Sequence, residues 1–479
     1  MSNFSNKLRA AIENSGIPIG VLAEQSGMSA SMLYKIQSGS RLPDSLETLE
    51  TLLESMACAL PQKQELLQTY KIERIGIERY QSFQALKELL ADLTVRTQAV
   101  SYPVARTDLN LPSAVIGSGN VNAAVYTLLA RETMRPGGKA DLMVPMRYRF
   151  CAEALPQILM ECHPEFVGIR HLFVLKASGG DDALLYNMER IRSALPGMLN
   201  MPKYHPWYCY LPEPDNGTLP FPYYVATSEG ILLLDSDLQS GVFMRDPEVC
   251  ELYRRSFARL SHNFMPMLHT APGDIHSYCM THRSIVSSLN RYPVPVTLAA
   301  EPCILPCISQ KAAARYLPAD LLENPEIQAM ITEFFEGSAV HGYTTFFTMY
   351  GVERLIKTGV IMEMRGRGIP RFCREDILDA LEEMLRRTRQ GTVKLHLFRH
   401  DIFQGDSRVS LGLYENKLFT GCEMPGRGVV FSDITEGTLA RVLRDYTDNA
   451  LLLGDVFSTE ESAQRLEREI RRYRNGAAH

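Results

Sequence analysis

The sequence predicts a multidomain protein in which a small all-α N-terminal domain precedes a large α/β region with an internal duplication. Three observations predict it. At 479 residues the chain is too long for one hydrophobic core. Its first 75 residues show apolar spacings of three and four, as one face of a helix requires. Beyond residue 101, short β-branched and aromatic runs alternate with amphipathic stretches, which argues α/β rather than all-helical. The expected boundaries are 1–75 for the helical domain, 76–100 for a connecting helix, 101–290 for a first α/β subdomain and 291–479 for a second.

Residues 18–43, PIGVLAEQSGMSASMLYKIQSGSRLP, have the pattern of a helix-turn-helix. Val21, Leu22, Leu33 and Ile36 are spaced to face inward, and Ala23 is small where two helices would cross. Gly27 falls where the chain must turn with positive φ. Ser29 follows as an N-cap. A helical hairpin with a chance glycine turn is the plain alternative.

This segment resembles the Cro/repressor-like (XRE-type) helix-turn-helix family over about residues 4–75, through LAEQSGMS, MLYKIQSG, SRLP and LETLETLLESM. The resemblance implies DNA binding by Ser29, Ala30, Ser31, Tyr34 and Lys35 around the third helix, and by Ser40 and Arg41 in the loop after it. A lysine can reach guanine acceptors or phosphate, and serine can bond several base edges. Ile19 and Gly20 stand where the family usually has a polar, phosphate-gripping residue. Basic and acidic residues balance here, so one copy should bind weakly, and a homodimer on a two-fold operator is expected. Asp44 and Glu47 suggest a capping arrangement for the fourth helix.

Residues 78–98 carry Phe83, Leu86, Leu90 and Leu93 on one stripe. This helix would dock on the next domain, pair with its copy in a second subunit, or simply pack on its own chain. In the α/β region, strands are expected at 141–145, 168–177, 223–236 (a hairpin around Glu229-Gly230), 392–403 and 409–421. Helices are expected at 120–134, 151–162, 246–261, 326–336, 374–389, 436–449 and 459–474. The duplication is read from HLFVLKA, SEGILLLDS and SGVFMRDPEVCELYRRSFARL set against LHLFRHD, ENKLFTGCE and RGVVFSDITEGTLARVLRDYTDN. Asp246 and Asp433 lie at matching helix starts, where a carboxylate favours the dipole.

The strand–hairpin–helix order resembles the phospholipase-D-like fold, which occurs duplicated and in catalytically dead sensor copies. Its enzymes need a His-x-Lys-x4-Asp motif. No histidine here has a lysine two residues on: His171 and His396 are followed by Leu-Phe and His400 by Asp-Ile. The resemblance therefore implies a sensor without that phosphodiester chemistry.

Four further constellations each have an ordinary reading beside a functional one. VIGSGNVNAA (115–124) is a Gly-rich strand-to-helix turn that could approach a phosphate, but Asn122 replaces the third glycine of the dinucleotide fingerprint. Asp141 precedes a strand instead of ending one, so an ordinary helix start is favoured. His276, Cys279, His282, Cys303 and Cys307 are ligand types at spacings unlike zinc sites, and no metal is expected. KYHPWYCYLPEPDNGTLPFPYY (203–224) reads as an aromatic, proline-rich loop, with Trp207 and Tyr208 as candidate effector contacts. GRGIPRF (366–372) clusters arginines, of which Arg367 and Arg371 are candidate anion contacts for the effector.

Composition bounds the rest. Hydrophobic content of 45% with 22% charged residues is ordinary for a globular protein, and a net charge of −5 argues against general adhesion to nucleic acid or anionic membrane. Ten scattered cysteines favour a reducing compartment. The N-terminus lacks the apolar core of a signal peptide, and no apolar run approaches the ~18–20 residues that span a bilayer. The expectation is a cytoplasmic, non-enzymatic, sequence-specific transcriptional regulator with double-stranded DNA as partner, a C-terminal effector-sensing or dimerising region, no cofactor and no membrane contact. The alternative is an enzyme acting on a phosphorylated or nucleotide substrate with an appended DNA-binding domain, or a protein-binding scaffold of the antitoxin kind.

Overall fold

The computed structural model describes residues 2–93, 111–177, 180–201, 203–212, 220–271, 295–317 and 342–476, apart from 366–368, 404–407, 415–416 and 425–427, together with isolated residues between 323 and 332. His276, Cys279, His282 and Arg367 lie outside the described residues, as does most of the helix expected at 326–336.

Five helices form the N-terminal part: α1 (Asn3–Ser15), α2 (Ile19–Ser26), α3 (Ala30–Gln37), α4 (Leu46–Ser55) and α5 (Leu60–Ile75). Their ends are set by local chemistry. Ser2, Ser29 and Ser45 accept amide bonds from Ser5, Met32 and Thr48 at 3.1–3.2 Å. Gly16 and Gly27 end α1 and α2 at φ 66° and 68°, a conformation only glycine reaches without strain. Phe4, Leu8, Leu22, Leu33, Ile36, Leu49, Leu52 and Tyr70 are fully buried between the helices. Each such aliphatic side chain contributes about 1.5–3 kcal/mol of burial. Two expectations are corrected. Val21 is exposed, because one inward residue, Leu22, fills the crossing. The cap of α4 is Ser45, which leaves Asp44 free to pair with Arg41 at 2.8 Å.

Helix α6 (Ile77–Asp92) buries Phe83, Leu86, Leu89 and Leu90. Its partners are the helices Asp181–Asn200 and Gly437–Asn449 of its own chain, with Phe83 set edge-on to Tyr446 at 5.8 Å. The stripe is thus used up internally, and α6 does not offer it to a second subunit.

The first α/β unit runs β1 (Ala114–Ile116), α7 (Ser118–Thr133), β2 (Lys139–Met143), α8 (Arg149–Met160), β3 (Gly168–Lys176), α9 (Asp181–Asn200), β4 (Tyr204–Leu211), β5 (Tyr223–Thr227), β6 (Gly230–Leu234), β7 (Ser240–Met244) and α10 (Pro247–Ser261). Two short strands, β8 (Met265–Pro266) and β9 (Leu268–Ala271), lead on. The second unit runs β10 (Val296–Ala299), α11 (Gln310–Tyr316), β11 (Tyr343–Phe347), α12 (Met349–Thr358), α13 (Arg374–Arg389), β12 (Val393–Leu397), β13 (Val409–Tyr414), β14 (Lys417–Met424), β15 (Gly428–Ile434), α14 (Gly437–Asn449) and α15 (Thr459–Arg474).

The strands form two mixed sheets, ordered β1-β7-β6-β5-β2-β3-β4-β8 and β12-β11-β10-β13-β14-β15-β9. Read outward from β2 and β10, the orders coincide. Each has three parallel strands (β2-β3-β4 and β10-β11-β12), an antiparallel hairpin strand beside the first of them, two more antiparallel strands, and an edge strand. The segment Met265–Ala271 ties the sheets together, pairing with β4 through β8 and with β15 through β9.

This topology supports the duplication but corrects its alignment. The hairpins and the strands before α10 and α14 correspond as expected. The partner of β12 is β4, however, and β3 corresponds to β11. Residues 204–211 are therefore a strand with neighbours on both sides, not part of a loop. Their proline sits at Pro206, whose carbonyl still accepts a bond from the Met267 amide at 2.9 Å. Helix α9 and strands β10 and β11 were not among the expected elements. Among the described residues, no helix is long and apolar enough to cross a membrane.

Candidate functional site

The Gly-rich turn is an ordinary connection. Gly117 stands at φ 92° between the edge strand β1 and α7, and Asn122 is occupied by the Tyr148 hydroxyl at 2.6 Å. Asp141 is buried in β2 and held by Arg170 through bonds of 2.8 and 3.0 Å, so it cannot serve a ribose. Tyr208 is buried, with its hydroxyl on the Thr435 carbonyl at 3.1 Å, and Trp207 is half-buried beside Leu172 and Phe257. Arg371 is exposed before α13, and no described contact brings it to either aromatic. Of the effector contacts named from the sequence, the described ones thus do not gather. On α3, Ser31, Tyr34 and Lys35 are exposed and Ala30 half-buried, while Ser29 serves as the helix cap. Ser40 donates to the Lys35 carbonyl at 3.0 Å, and Arg41 is committed to Asp44. His171 is structural: it is buried between the Tyr204 hydroxyl and the Val144 carbonyl, and burial pushes it down to about 4.

A different cluster gathers at the carboxyl ends of the parallel strands of the second sheet, where open α/β folds place their ligands. Strand β10 ends at Ala299. The Ala300 carbonyl accepts from the Thr348 amide at 3.0 Å and its hydroxyl at 3.1 Å, and Thr348 in turn caps α12 through the Gly351 amide. A Cβ at Gly351 would lie 1.8 Å from the Ala300 oxygen, so glycine alone allows the helix start to press on the strand end. This fixes Glu301 against Arg354, one turn further along α12; both side chains are nearly sealed from water. The other Glu301 oxygen accepts from the Met362 amide at 3.1 Å.

Met362 opens a short 3-10 turn, Met362–Met364, that presents Glu363. Glu363 receives a hydrogen bond from the Ser410 side chain on β13. Gly421 lies opposite Ser410 on β14, and a Cβ there would come within 2.9 Å of the serine oxygen. Arg365 pairs with Glu423 at 2.7 Å on the same side. Burial and the neighbouring Glu301 charge push Glu363 up to about 7, while Ser410 and Arg354 pull it down. Burial pushes Glu301 up as well, against the pull of Arg354. Two carboxyls this close cannot both ionise freely. The result is a hydroxyl bonded to a carboxyl pushed up to about 7, with Arg354 acting on it and Arg365, paired with Glu423, two residues further along. Such an arrangement can take a proton from a nucleophile and balance the charge of an anion.

No single stretch of sequence announced these residues, which come from β10, α12, the 3-10 turn, β13 and β14. One signal was available: Glu301 directly follows the apolar run PVPVTLAA, the place where a parallel strand delivers a side chain to a site.

Fold and site together define a duplicated α/β protein with a helical N-terminal unit and a charged cluster in its second half. No family model matches the sequence, and no curated protein matches it. Among solved structures the chain is similar to phosphatidylserine synthase from Haemophilus influenzae Rd KW20, at 9% identity and a TM-score of 0.25, over 82% of this chain and 98% of that one. That protein is an enzyme by its name. The expectation of a non-enzymatic transcriptional regulator with a sensing region thus gains no support from the solved structure named here, which is an enzyme. A likeness at this TM-score assigns neither fold nor activity, so the residues of the site have to carry the function.

Proposed function

We propose that the chain is an enzyme acting on a phosphorylated or nucleotide substrate at the Ser410–Glu363 pair, with an appended helical unit that contacts duplex DNA through α3. The observation that carries the first part is the Ser410 hydroxyl bonded to a carboxyl held near neutrality, beside Arg354 and Arg365. In the reaction, the Ser410 oxygen forms a bond to phosphorus as its proton passes to ionised Glu363. The bond from phosphorus to the leaving oxygen breaks, and Glu363 returns the proton to that oxygen. Water then reverses the sequence and frees the serine. Arg365 balances the charge that builds on the phosphoryl oxygens.

The test is turnover of bis(4-nitrophenyl) phosphate, 4-nitrophenyl phosphate and nucleoside triphosphates by the full chain. Activity lost in both Ser410→Ala and Glu363→Gln is expected; undiminished activity in either overturns the assignment. Exposed Ser31, Tyr34 and Lys35 support the DNA contact. Binding of a random duplex at low salt that weakens in Lys35→Ala and vanishes as salt rises is expected, because phosphate contacts release counterions. No retention of duplex at low salt removes this part of the reading.

A further inference from the structure

We propose that Glu301 is a positioning residue, holding the Met362–Met364 turn, and through it the Glu363 carboxyl, against the Ser410 hydroxyl; this rests on the enzymatic reading of that pair. Glu301 does not bond Ser410 in any described contact. One of its oxygens goes to Arg354 and the other to the Met362 amide, the residue just before Glu363. Arg354 is itself anchored, since α12 is pressed onto Ala300 at Gly351 and capped by Thr348. Strand end, helix and turn are therefore locked to one another by a single carboxylate.

Stability does not explain that choice. Removing two charges from water costs about as much as their attraction returns, and a well-packed apolar pair of the same volume serves a fold as well. A carboxylate does two things here that an apolar residue cannot: it accepts the Met362 amide, and it sets a negative charge beside Glu363. The groups facing Glu363 are Glu301 beyond β10, Arg354 from α12, Ser410 and Tyr414 from β13, and Cys303. Arg365, which also acts on Glu301, completes the charged surroundings with its partner Glu423.

The experiment uses the full chain labelled with 13C at the glutamate carboxyls, with the Glu363 signal assigned by its loss in Glu363→Gln. In Glu301→Gln the negative charge is gone and Arg354 is left to favour ionised Glu363. Its titration midpoint is expected to fall by at least about one unit, and the acid limb of kcat/KM on bis(4-nitrophenyl) phosphate to move with it. In Glu301→Asp the charge stays but the shorter chain loses the Met362 amide. There the midpoint should stay near its original place while kcat falls about tenfold. An unmoved Glu363 midpoint in folded Glu301→Gln overturns the proposal. If that variant does not fold, full kcat in Glu301→Asp overturns it instead. The titration needs no turnover, so a shifted midpoint alongside full activity in Ser410→Ala overturns the enzymatic reading alone.

Discussion

The two α/β units share one strand order yet differ at the rung that matters. Counting back from the hairpin tips, Tyr223 occupies in the first unit the position that Ser410 occupies in the second. Its cross-strand partner is Leu234, where Ser410 faces Gly421. One strand further, Leu234 is opposite Gly241, whereas Gly421 is opposite Phe431. The same rung is filled from opposite strands. A Cβ at Gly241 would run into Leu234 and Leu232, and one at Gly421 would lie 2.8 Å from the Phe431 ring. By the same register, Glu301 corresponds to buried Met146. Leucine with glycine and glycine with phenylalanine fill similar volume, so the scaffold tolerates either pair. Only the second leaves a small hydroxyl beside a charged turn. The same frame occurs twice, and the proposed chemistry falls in one copy.

The sharpest way to break this comparison is to exchange the distinctive residues. Ser410→Ala should lower turnover of a phosphate ester at least about a hundredfold, the usual loss when a nucleophile is removed. Tyr223→Ser in the first unit should leave that rate unchanged, and a comparable loss there would show that the site is shared. Next in size is Gly421→Ala, which crowds Ser410 and Phe431. Chemical denaturation should show a loss of about 1–3 kcal/mol, as for other overpacked positions, and activity should fall with it. Gly421→Leu combined with Phe431→Gly, which copies the first unit's rung, should recover part of the stability and none of the activity.

The pH dependence sharpens the contrast from another side. Burial and the Glu301 charge push Glu363 up to about 7 in the folded chain, against an ordinary carboxyl value of about 4.3 when unfolded. Between those values the folded state binds the extra proton, so unfolding free energy falls as pH rises through the window. Activity should rise across the same window, since Glu363 accepts a proton only when ionised. Glu363→Gln should flatten the stability slope, measured by denaturant titration from pH 4 to 8. The smallest effect is expected at α6. Arg79 pairs with Asp181 of α9 at 3.3 Å and lies 3.9 Å from Asp445 of α14, joining the two units across partly exposed side chains. Arg79→Ala should cost no more than about 1 kcal/mol, as such ion pairs do. A larger loss would mean the units depend on each other more than their separate sheets suggest.

Much of the framework was legible in the chain. The turn glycine at Gly27, the cap at Ser29 and the apolar residues Leu22, Leu33 and Ile36 fall where the pattern put them. The hairpin at Ser228-Glu229 and helices α10, α13, α14 and α15 were readable because short-range spacing alone decides them. Strand β4 was not readable: its proline and aromatics mimic a loop, and only pairing with β3 and β8 makes YHPWYCYL a strand. The site was still further from view. Trp207 and Tyr208 stood out by composition, yet their strand turns them into the body of the protein, whereas Glu301, Glu363 and Ser410 carry no motif at all.

By itself, the order of residues determined which segments could be helix or strand, where they stop, and that one supersecondary unit occurs twice. These are local matters, fixed by backbone sterics and by periods of two and about 3.6 residues. Tertiary structure alone decided which strands became neighbours, and with them which carboxyl met which hydroxyl. A side chain's proton affinity depends on the charges and water within a few ångströms, and those are set by segments far apart in the chain.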